Sequence, residues 1–348
     1  MTSRPLGIAL IGTGAIAKHH ARAIHATPTT RLVCCFARDA VKRDAFAAEQ
    51  RCRSAASLAD ALADPAVDAV LIATPSGAHL DAVQAAAAVG KHVLCEKPLD
   101  ITLERTDRII AACADANVIL CPVFQNRFGE QVQAMKAAID RGRLGRLLLG
   151  RATVKWQRTM TYFQSGSWRG TKEVDGGGVL INQAIHTVDL LLHLMGDPVE
   201  LHGYAATLTH PGIEVEDTAC AVIRFASGAM GVIEATTSTE PQLPVEVEIT
   251  GATGTIAMRG EELSRWDLSA REPGDDAIRA AIKPPGPEMD EHEARFPKHC
   301  RQLDDLAAAV VSGARETSVP PRAARLALEV VLGIYESTQS GRPYRFNT

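Results

Sequence analysis

The eight cysteines, Cys34, Cys35, Cys52, Cys95, Cys113, Cys121, Cys220 and Cys300, include no Cys-x-x-Cys pair, and most stand in apolar runs. That argues against a disulfide framework or a zinc site and predicts reduced, buried thiols with no metal. Aromatic residues make up only 4% of the chain, and no block of Lys or Arg is interleaved with them. With a formal net charge of -4 and both signs mixed along the sequence, nucleic acid is excluded as a partner class. No apolar run is long enough to span a membrane. The stretch from Leu6 to Ala17 after Arg4 imitates a signal peptide. Gly12 and Gly14 break it and Lys18-His19-His20 follows, so a strand, a glycine turn and a helix fit better. What remains is a soluble, cytoplasmic globular protein.

The 348 residues are too many for one modest core, so two domains are expected. Apolar strands are predicted over 6–11, 31–36, 68–73, 92–95 and 118–122. Helices over 15–26, 39–50, 57–63, 78–89 and 102–116 lie between them. Such alternation specifies a doubly wound parallel sheet with right-handed crossovers. After about Phe124 the pattern changes. A helix over 131–141 and another from Val179 accompany alternating runs over 147–158, 201–209, 218–225, 229–237, 245–250 and 255–258. Ser227-Gly228 reads as a hairpin turn. The segment 273–297 reads as a polar loop, with His292 and His299 in or beside it and solvated. Helices over 299–312 and 322–339 finish the chain. The fold class is therefore α/β. A cofactor domain over 1–123 precedes an α+β domain over 124–348 with a large, mainly antiparallel sheet for substrate binding and oligomerisation, the last helices packing back.

Gly12-Thr13-Gly14-Ala15-Ile16-Ala17 is a GxGxxA turn that follows the first strand and opens a helix, the context of a Rossmann dinucleotide site. Gly12 permits the tight turn, Gly14 admits a pyrophosphate, and Ala17 allows close packing of helix on strand. The amides around Ala15 and Ile16 then face the phosphates at the positive end of the helix. The second strand ends Cys35-Phe36-Ala37-Arg38-Asp39, with no acid at Ala37, where the ribose reader of NAD is expected. Arg38, with Lys42 and Arg43 nearby, favours NADP over NAD. The alternative is a solvated Arg38 with Asp39 on the ribose.

Four features follow one another in order. They are the GxGxxA turn, Ala73-Thr74-Pro75-Ser76 with His79, Gly90-Lys91-His92-Val93 leading to Glu96-Lys97-Pro98, and Gly176-Gly177-Gly178 leading to His186 and Asp189. Together with Glu216-Asp217-Thr218 and Gly251-Ala252-Thr253-Gly254-Thr255, the set resembles the Gfo/Idh/MocA oxidoreductases, of the glucose–fructose oxidoreductase and inositol dehydrogenase type. The resemblance covers nearly the whole chain. It implies hydride exchange between NAD(P) and a sugar, sugar nucleotide, polyol or inositol-like substrate. It makes Lys97 the catalytic lysine beside the nicotinamide, joined to Pro98 by a cis bond. A desolvated lysine near a positive ring is chemically suited to move a hydroxyl proton.

The resemblance also makes His186 the general acid/base or a ligand of a substrate hydroxyl, with Asp189 orienting substrate or His186. Read as one α-helix from Val179, the segment sets Asn182, His186 and Asp189 on one face. Many polyol-oxidising relatives carry an acid where Asn182 stands. Asn182 cannot be a base, which leaves the proton to Lys97 and His186 and resembles members acting on sugar nucleotides or modified sugars. Thr74, Pro75, His79 and Glu96 are placed with the cofactor by the same resemblance. Gln125-Asn126-Arg127 is placed in the nicotinamide and substrate pocket, Asn126 toward cofactor and Arg127 toward substrate, and Trp168-Arg169 near the cofactor. A homodimer or homotetramer through the C-terminal sheet is implied. Two other functions fit the same fold: a glycoside hydrolase that oxidises its substrate transiently through bound NAD, and a ligand sensor without catalysis.

Overall fold

The computed structural model describes residues 4–166, 169–282 and 291–347. The chain forms two compact units, Met1–Gln125 with Asp290–Arg325, and Asn126–Met289 with Leu326–Thr348. The division falls close to the expected one near Phe124, but the segment after Asp290 returns to the first unit.

In the first unit the strands β1 (Leu6–Ile11), β2 (Thr30–Phe36), β3 (Arg53–Ser54), β4 (Ala69–Ile72), β5 (His92–Cys95) and β6 (Leu120–Pro122) form one sheet. Their order is β3-β2-β1-β4-β5-β6, and every pairing is parallel. β1 and β4 are buried along their whole length, which is why their sequences are unbroken apolar runs rather than alternating ones. The two-residue β3 has too little pattern to be read in advance. Three helices begin where a polar side chain stops the preceding loop. Asp39, Ser57 and Thr102 accept the amides of Lys42, Asp60 and Arg105.

The helix Glu291–Ser312 completes this unit. Its Leu303, Leu306, Ala307 and Ala309 join the core formed by Leu10, Ala17, Ala21, Ile24 and Leu71. His299, expected in solvent, is 5% exposed inside this packing. The side chain of His292 lies outside the described residues. Part of the expected polar loop is also helical, over Asp275–Ala281 in the second unit. There Asp275 takes hydrogen bonds from Trp266 and Arg143 at 2.7–2.9 Å, which fixes the segment to the strand Glu262–Leu268.

The second unit carries β7 (Leu147–Lys155), β8 (Pro198–Ala206), β9 (Thr218–Phe225), β10 (Met230–Thr236), β11 (Glu246–Gly251), β12 (Gly254–Arg259), β13 (Glu262–Leu268) and β14 (Tyr344–Arg345). The order is β13-β12-β11-β7-β10-β9-β8-β14. All neighbours are antiparallel except β7 and β10, which run parallel with Leu149 opposite Met230. The hairpin at Ser227-Gly228 forms as read, with Gly228 at φ 83°. One face packs under the helix Ile185–Met195, so closely that a Cβ on Gly150 would lie 2.8 Å from Leu191. The opposite face exposes Leu149, Val222 and Met230, and Cys220 stands there rather than in a core.

Candidate active site

In the first unit, Gly12 lies where three strands end. Its amide donates to the Phe36 carbonyl, and the Ala73 amide donates to Ile11, each at 2.8 Å. Gly12 has φ 104°, and a Cβ on it would meet the Ala73 carbonyl at 2.5 Å. Only glycine satisfies both constraints. Gly14 differs, since a Cβ there would meet nothing within 4 Å. The helix Ala15–Ala26 starts from Gly14 with neither a side-chain cap nor an acid in its first turn. An open, electropositive helix start, with the close-packed Gly12 before it and the unobstructed Gly14 at its mouth, fits a dinucleotide pyrophosphate. Ala15 is exposed and Ile16 half-buried at this start. At the end of β4, Thr74 and Pro75 are half-buried, and Thr74 Oγ1 donates to the Ala78 carbonyl at 3.3 Å.

Lys97 follows β5, half-exposed and joined to Pro98 by a cis peptide bond. Two buried side chains brace this corner. His79 is fully buried, with Nδ1 3.0 Å from the Pro98 carbonyl and 3.1 Å from that of Leu99, and Nε2 3.0 Å from that of Thr74. The structure thus corrects the expected cofactor contact of His79, because a ring with no accessible surface holds the chain around Lys97 instead. Glu96 also turns inward. One oxygen meets His20 Nε2 at 2.7 Å, and the other accepts the Lys97 amide at 3.0 Å. Burial alone would raise the Glu96 carboxyl. The His20 hydrogen bond and the nearby His20 and Lys97 charges outweigh it and hold the pKa at about 2, below its ordinary 4.5.

A depressed carboxyl stabilises the fold above its unfolded pKa, and that contribution is lost as pH falls through the folded value. Urea titrations between about pH 5 and pH 2 are therefore expected to show a loss of stability that is smaller in Glu96→Gln. An unchanged pH slope in the variant would remove the assignment.

In the second unit the site begins at the glycine run. Gly176 has φ 80°. A Cβ on Gly177 would lie 2.2 Å from the Tyr335 hydroxyl, and one on Gly178 would lie 1.7 Å from the Glu216 carbonyl. The Glu216 carboxylate accepts the Gly178 and Leu180 amides and the Tyr335 hydroxyl at 2.8–2.9 Å, capping the helix that follows. Burial raises its pKa against these donors. Gly178→Ala is expected to cost about 1–3 kcal/mol in chemical denaturation, since backbone must move to admit the methyl. A wild-type midpoint would contradict the close approach.

The helix is not a regular α-helix from Val179. Leu180–Ala184 is a π turn, and the α-helix proper is Ile185–Met195. The stretch expected as one α-helix with Asn182, His186 and Asp189 on a face thus begins as a π turn that holds Asn182, a local irregularity frequent at functional sites. Asn182 Nδ2 donates to Asp175, whose other oxygen accepts the Gly170 amide at 2.9 Å. His186 is buried at 5% exposure. Asp189 receives Arg127 Nε at 2.8 Å and Nη2 at 2.6 Å. Both partners are buried and form a bidentate pair, a contact that the expected roles of Arg127 toward substrate and of Asp189 toward substrate or His186 did not include. Burial raises the Asp189 carboxyl, and the Arg127 charge opposes it.

Tyr162 escaped the sequence reading. Its oxygen accepts Arg169 Nη1 at 2.6 Å and Gln183 Nε2 at 3.0 Å. The Arg169 guanidinium lies 4.3 Å over its ring and that of Arg158 5.4 Å. Both oxygen lone pairs are thereby used, and no acceptor for the phenolic proton stands among the described residues. Trp168 lies outside the described residues. Asn126 has a buried Oδ1 with no hydrogen-bond partner among the described residues, an acceptor suited to a ligand. Arg38, at the end of β2, is exposed, and Asp39 caps the next helix.

The family described as "Oxidoreductase family, NAD-binding Rossmann fold" matches residues 6–124, and the GFO/IDH/MocA C-terminal domain matches residues 132–257. The WlbA dehydrogenase of Bordetella pertussis, solved with NADH and UDP-GlcNAcA, superposes with a TM-score of 0.89 at 33% identity, covering 100% of this chain and 99% of its own. Levoglucosan dehydrogenase of Pseudarthrobacter phenanthrenivorans is 30% identical over 80% of this chain and 79% of its own length. Inositol 2-dehydrogenase of Rhizobium meliloti is 27% identical over 72% and 75%.

Proposed function

Because the chain belongs to the Gfo/Idh/MocA oxidoreductase family, we propose that it exchanges hydride between a nicotinamide dinucleotide and a carbohydrate-like substrate, with a sugar-nucleotide uronic acid as the leading candidate. The carrying observation is the whole-chain likeness to the Bordetella enzyme solved with NADH and UDP-GlcNAcA. Asn182 supports it, being an amide held by Asp175 where an inositol-type pair would need an acid. The dinucleotide, when bound, supplies the hydride chemistry at its nicotinamide ring. Lys97 moves the proton of the reacting hydroxyl, and His186 is the second acid/base or hydroxyl ligand. Gly12, Gly14, Ala15 and Ile16 hold the pyrophosphate. Thr74 and Pro75 of the first unit line the cofactor. In the second unit, Asn126 and Arg169 are read as cofactor ligands.

For the ribose, an exposed Arg38 with Asp39 engaged as a helix cap supports NADP. NADPH and NADH titrations of wild type and Arg38→Ala decide this. Selective weakening of NADPH in the variant supports the contact, and tighter NADH binding in wild type removes it. Eight free thiols, five of them buried, support a reducing cytoplasmic setting. No described helix is long and apolar enough to cross a membrane. The exposed Leu149, Val222 and Met230 face supports a homodimer or homotetramer through the second sheet. Val222→Arg with Met230→Arg should lower the mass found by light scattering, and a wild-type protein that is monomeric would refute the assembly.

The function itself is tested with NAD+ or NADP+ and UDP-GlcNAcA beside a panel of aldoses, polyols and inositols, following reduced nicotinamide by absorbance. Turnover of the sugar nucleotide ahead of the panel supports the proposal. Preference for an inositol or a free sugar would reassign the substrate.

A further inference from the structure

The first unit holds a buried polar cluster that no expected site residue except Glu96 belongs to. His20 lies on the inner face of the helix Ala15–Ala26 among Ala17, Ala21 and Ile24, and is 1% exposed. Its Nε2 is 2.7 Å from Glu96 Oε1. An ionised carboxylate can only accept, so the proton sits on Nε2. The ring of His299, from the helix Glu291–Ser312, meets that of His20 edge to face at 4.8 Å between centroids. Burial and the neighbouring His20 lower the His299 pKa well below the usual range, with Glu96, Arg295 and His19 also facing it. His299 is thus a neutral wall that keeps the His20 ring from turning away. The second Glu96 oxygen accepts the Lys97 amide at 3.0 Å, and the Glu96 amide is tied to the Ile72 carbonyl of β4, also at 3.0 Å.

A chain of contacts therefore runs from the helix that opens the dinucleotide turn to the backbone of Lys97. A buried carboxylate is an expensive way to close a turn when backbone or an amide would serve. Its use here makes sense if the position of the following residue has to be fixed closely. We infer that His20 is a positioning residue for Lys97, acting through Glu96 and held in place by His299. The inference rests on the proposed role of Lys97 in proton transfer. It adds that the lysine is set from behind by a histidine that touches neither substrate nor cofactor. Losing the His20 donor leaves Glu96 Oε1 without its partner and frees the carboxylate to swing. The Lys97 amide then loses a fixed acceptor. Glutamine at position 20 can present an N–H to the same oxygen.

Hydrogen–deuterium exchange of the peptide containing the Lys97 amide, read in wild type, His20→Ala and His20→Gln, tests this without any substrate. His20→Ala is expected to speed that exchange about tenfold or more while distant peptides keep their protection, with His20→Gln restoring it. In turnover with NAD+ and UDP-GlcNAcA, kcat should fall in parallel while the NADH Kd stays as in wild type. Wild-type exchange at Lys97 in His20→Ala, a uniform loss over all peptides, or failure of His20→Gln to restore would each overturn the inference. Should His20→Ala not fold, His20→Phe, which keeps a ring in the same space and removes the donor, gives the same reading. Lys97→Met separates the two ideas. If it keeps turnover, the role of Lys97 fails while the exchange result still judges His20. If it is inactive and His20→Ala exchanges and turns over as wild type, only the inference on His20 fails.

Discussion

Lys97→Met is expected to lower kcat by about 10²–10⁴-fold and to leave the dinucleotide Kd unchanged. The substitution keeps most of the side-chain volume and removes the group that can carry a proton. The backbone amide of residue 97 still reaches Glu96, and His79 still braces the Pro98 and Leu99 carbonyls, so the corner should keep its shape. Stopped-flow absorbance for turnover and NADH fluorescence for binding separate chemistry from affinity. Full activity in the variant would end the assignment. A parallel loss of cofactor binding would mean that Lys97 acts mainly as a charge beside the dinucleotide. Glycoside cleavage without net nicotinamide reduction would instead identify the transient-oxidation hydrolase.

Asp189→Asn should destabilise the second unit by about 3–5 kcal/mol, because it leaves the Arg127 guanidinium buried without a counter-charge. The geometry is bidentate and the pair has little water to fall back on. Arg127→Met should cost a similar amount for the mirror reason. The double variant with Asp189→Leu should recover much of the loss, since two apolar side chains leave nothing unpaired. Urea denaturation of wild type, Asp189→Leu, Arg127→Met and the double variant gives the coupling directly. Strict additivity would show that the two residues act independently and that the pair is not the source of the stability.

Much of the fold was legible because its causes are local. β1 and β4 are unbroken apolar runs, and Asp39, Ser57 and Thr102 mark helix starts by their own chemistry. The glycine turn was legible for the same reason, and the cis bond before Pro98 came with the motif. What escaped was long-range or irregular. Alternation places β7 and β10 in a sheet but cannot say that they run parallel. The charge-rich β13 and the two-residue β14 have too little pattern to declare themselves. A 3.6-residue period cannot reveal that Leu180–Ala184 is a π turn, so the face shared by Asn182, His186 and Asp189 was drawn too regularly.

The candidate site shows the same boundary between local and distant causes. Residues of motifs were found, but their partners were not. His20 and Glu96 stand 76 positions apart. A flag was available, since a histidine in register with Ala17 and Ile24 on an otherwise apolar helix face needs a buried partner. Tyr162 carried no such flag, because its meaning comes from Arg169 and Gln183 reaching one oxygen.

The first unit is discontinuous, and this bears on how the chain comes off the ribosome. The helix Glu291–Ser312 supplies Leu303, Leu306, Ala307 and Ala309 to a core whose other members are complete by Val123. Synthesis at about 5–20 residues per second therefore leaves a nascent sheet with an uncovered apolar side for many seconds while the whole second unit is made. During that interval the emerging chain is a client for a holding chaperone. A nascent chain stalled before residue 300 should resist proteases less well than one stalled after Arg325, although both already contain every strand of the first sheet.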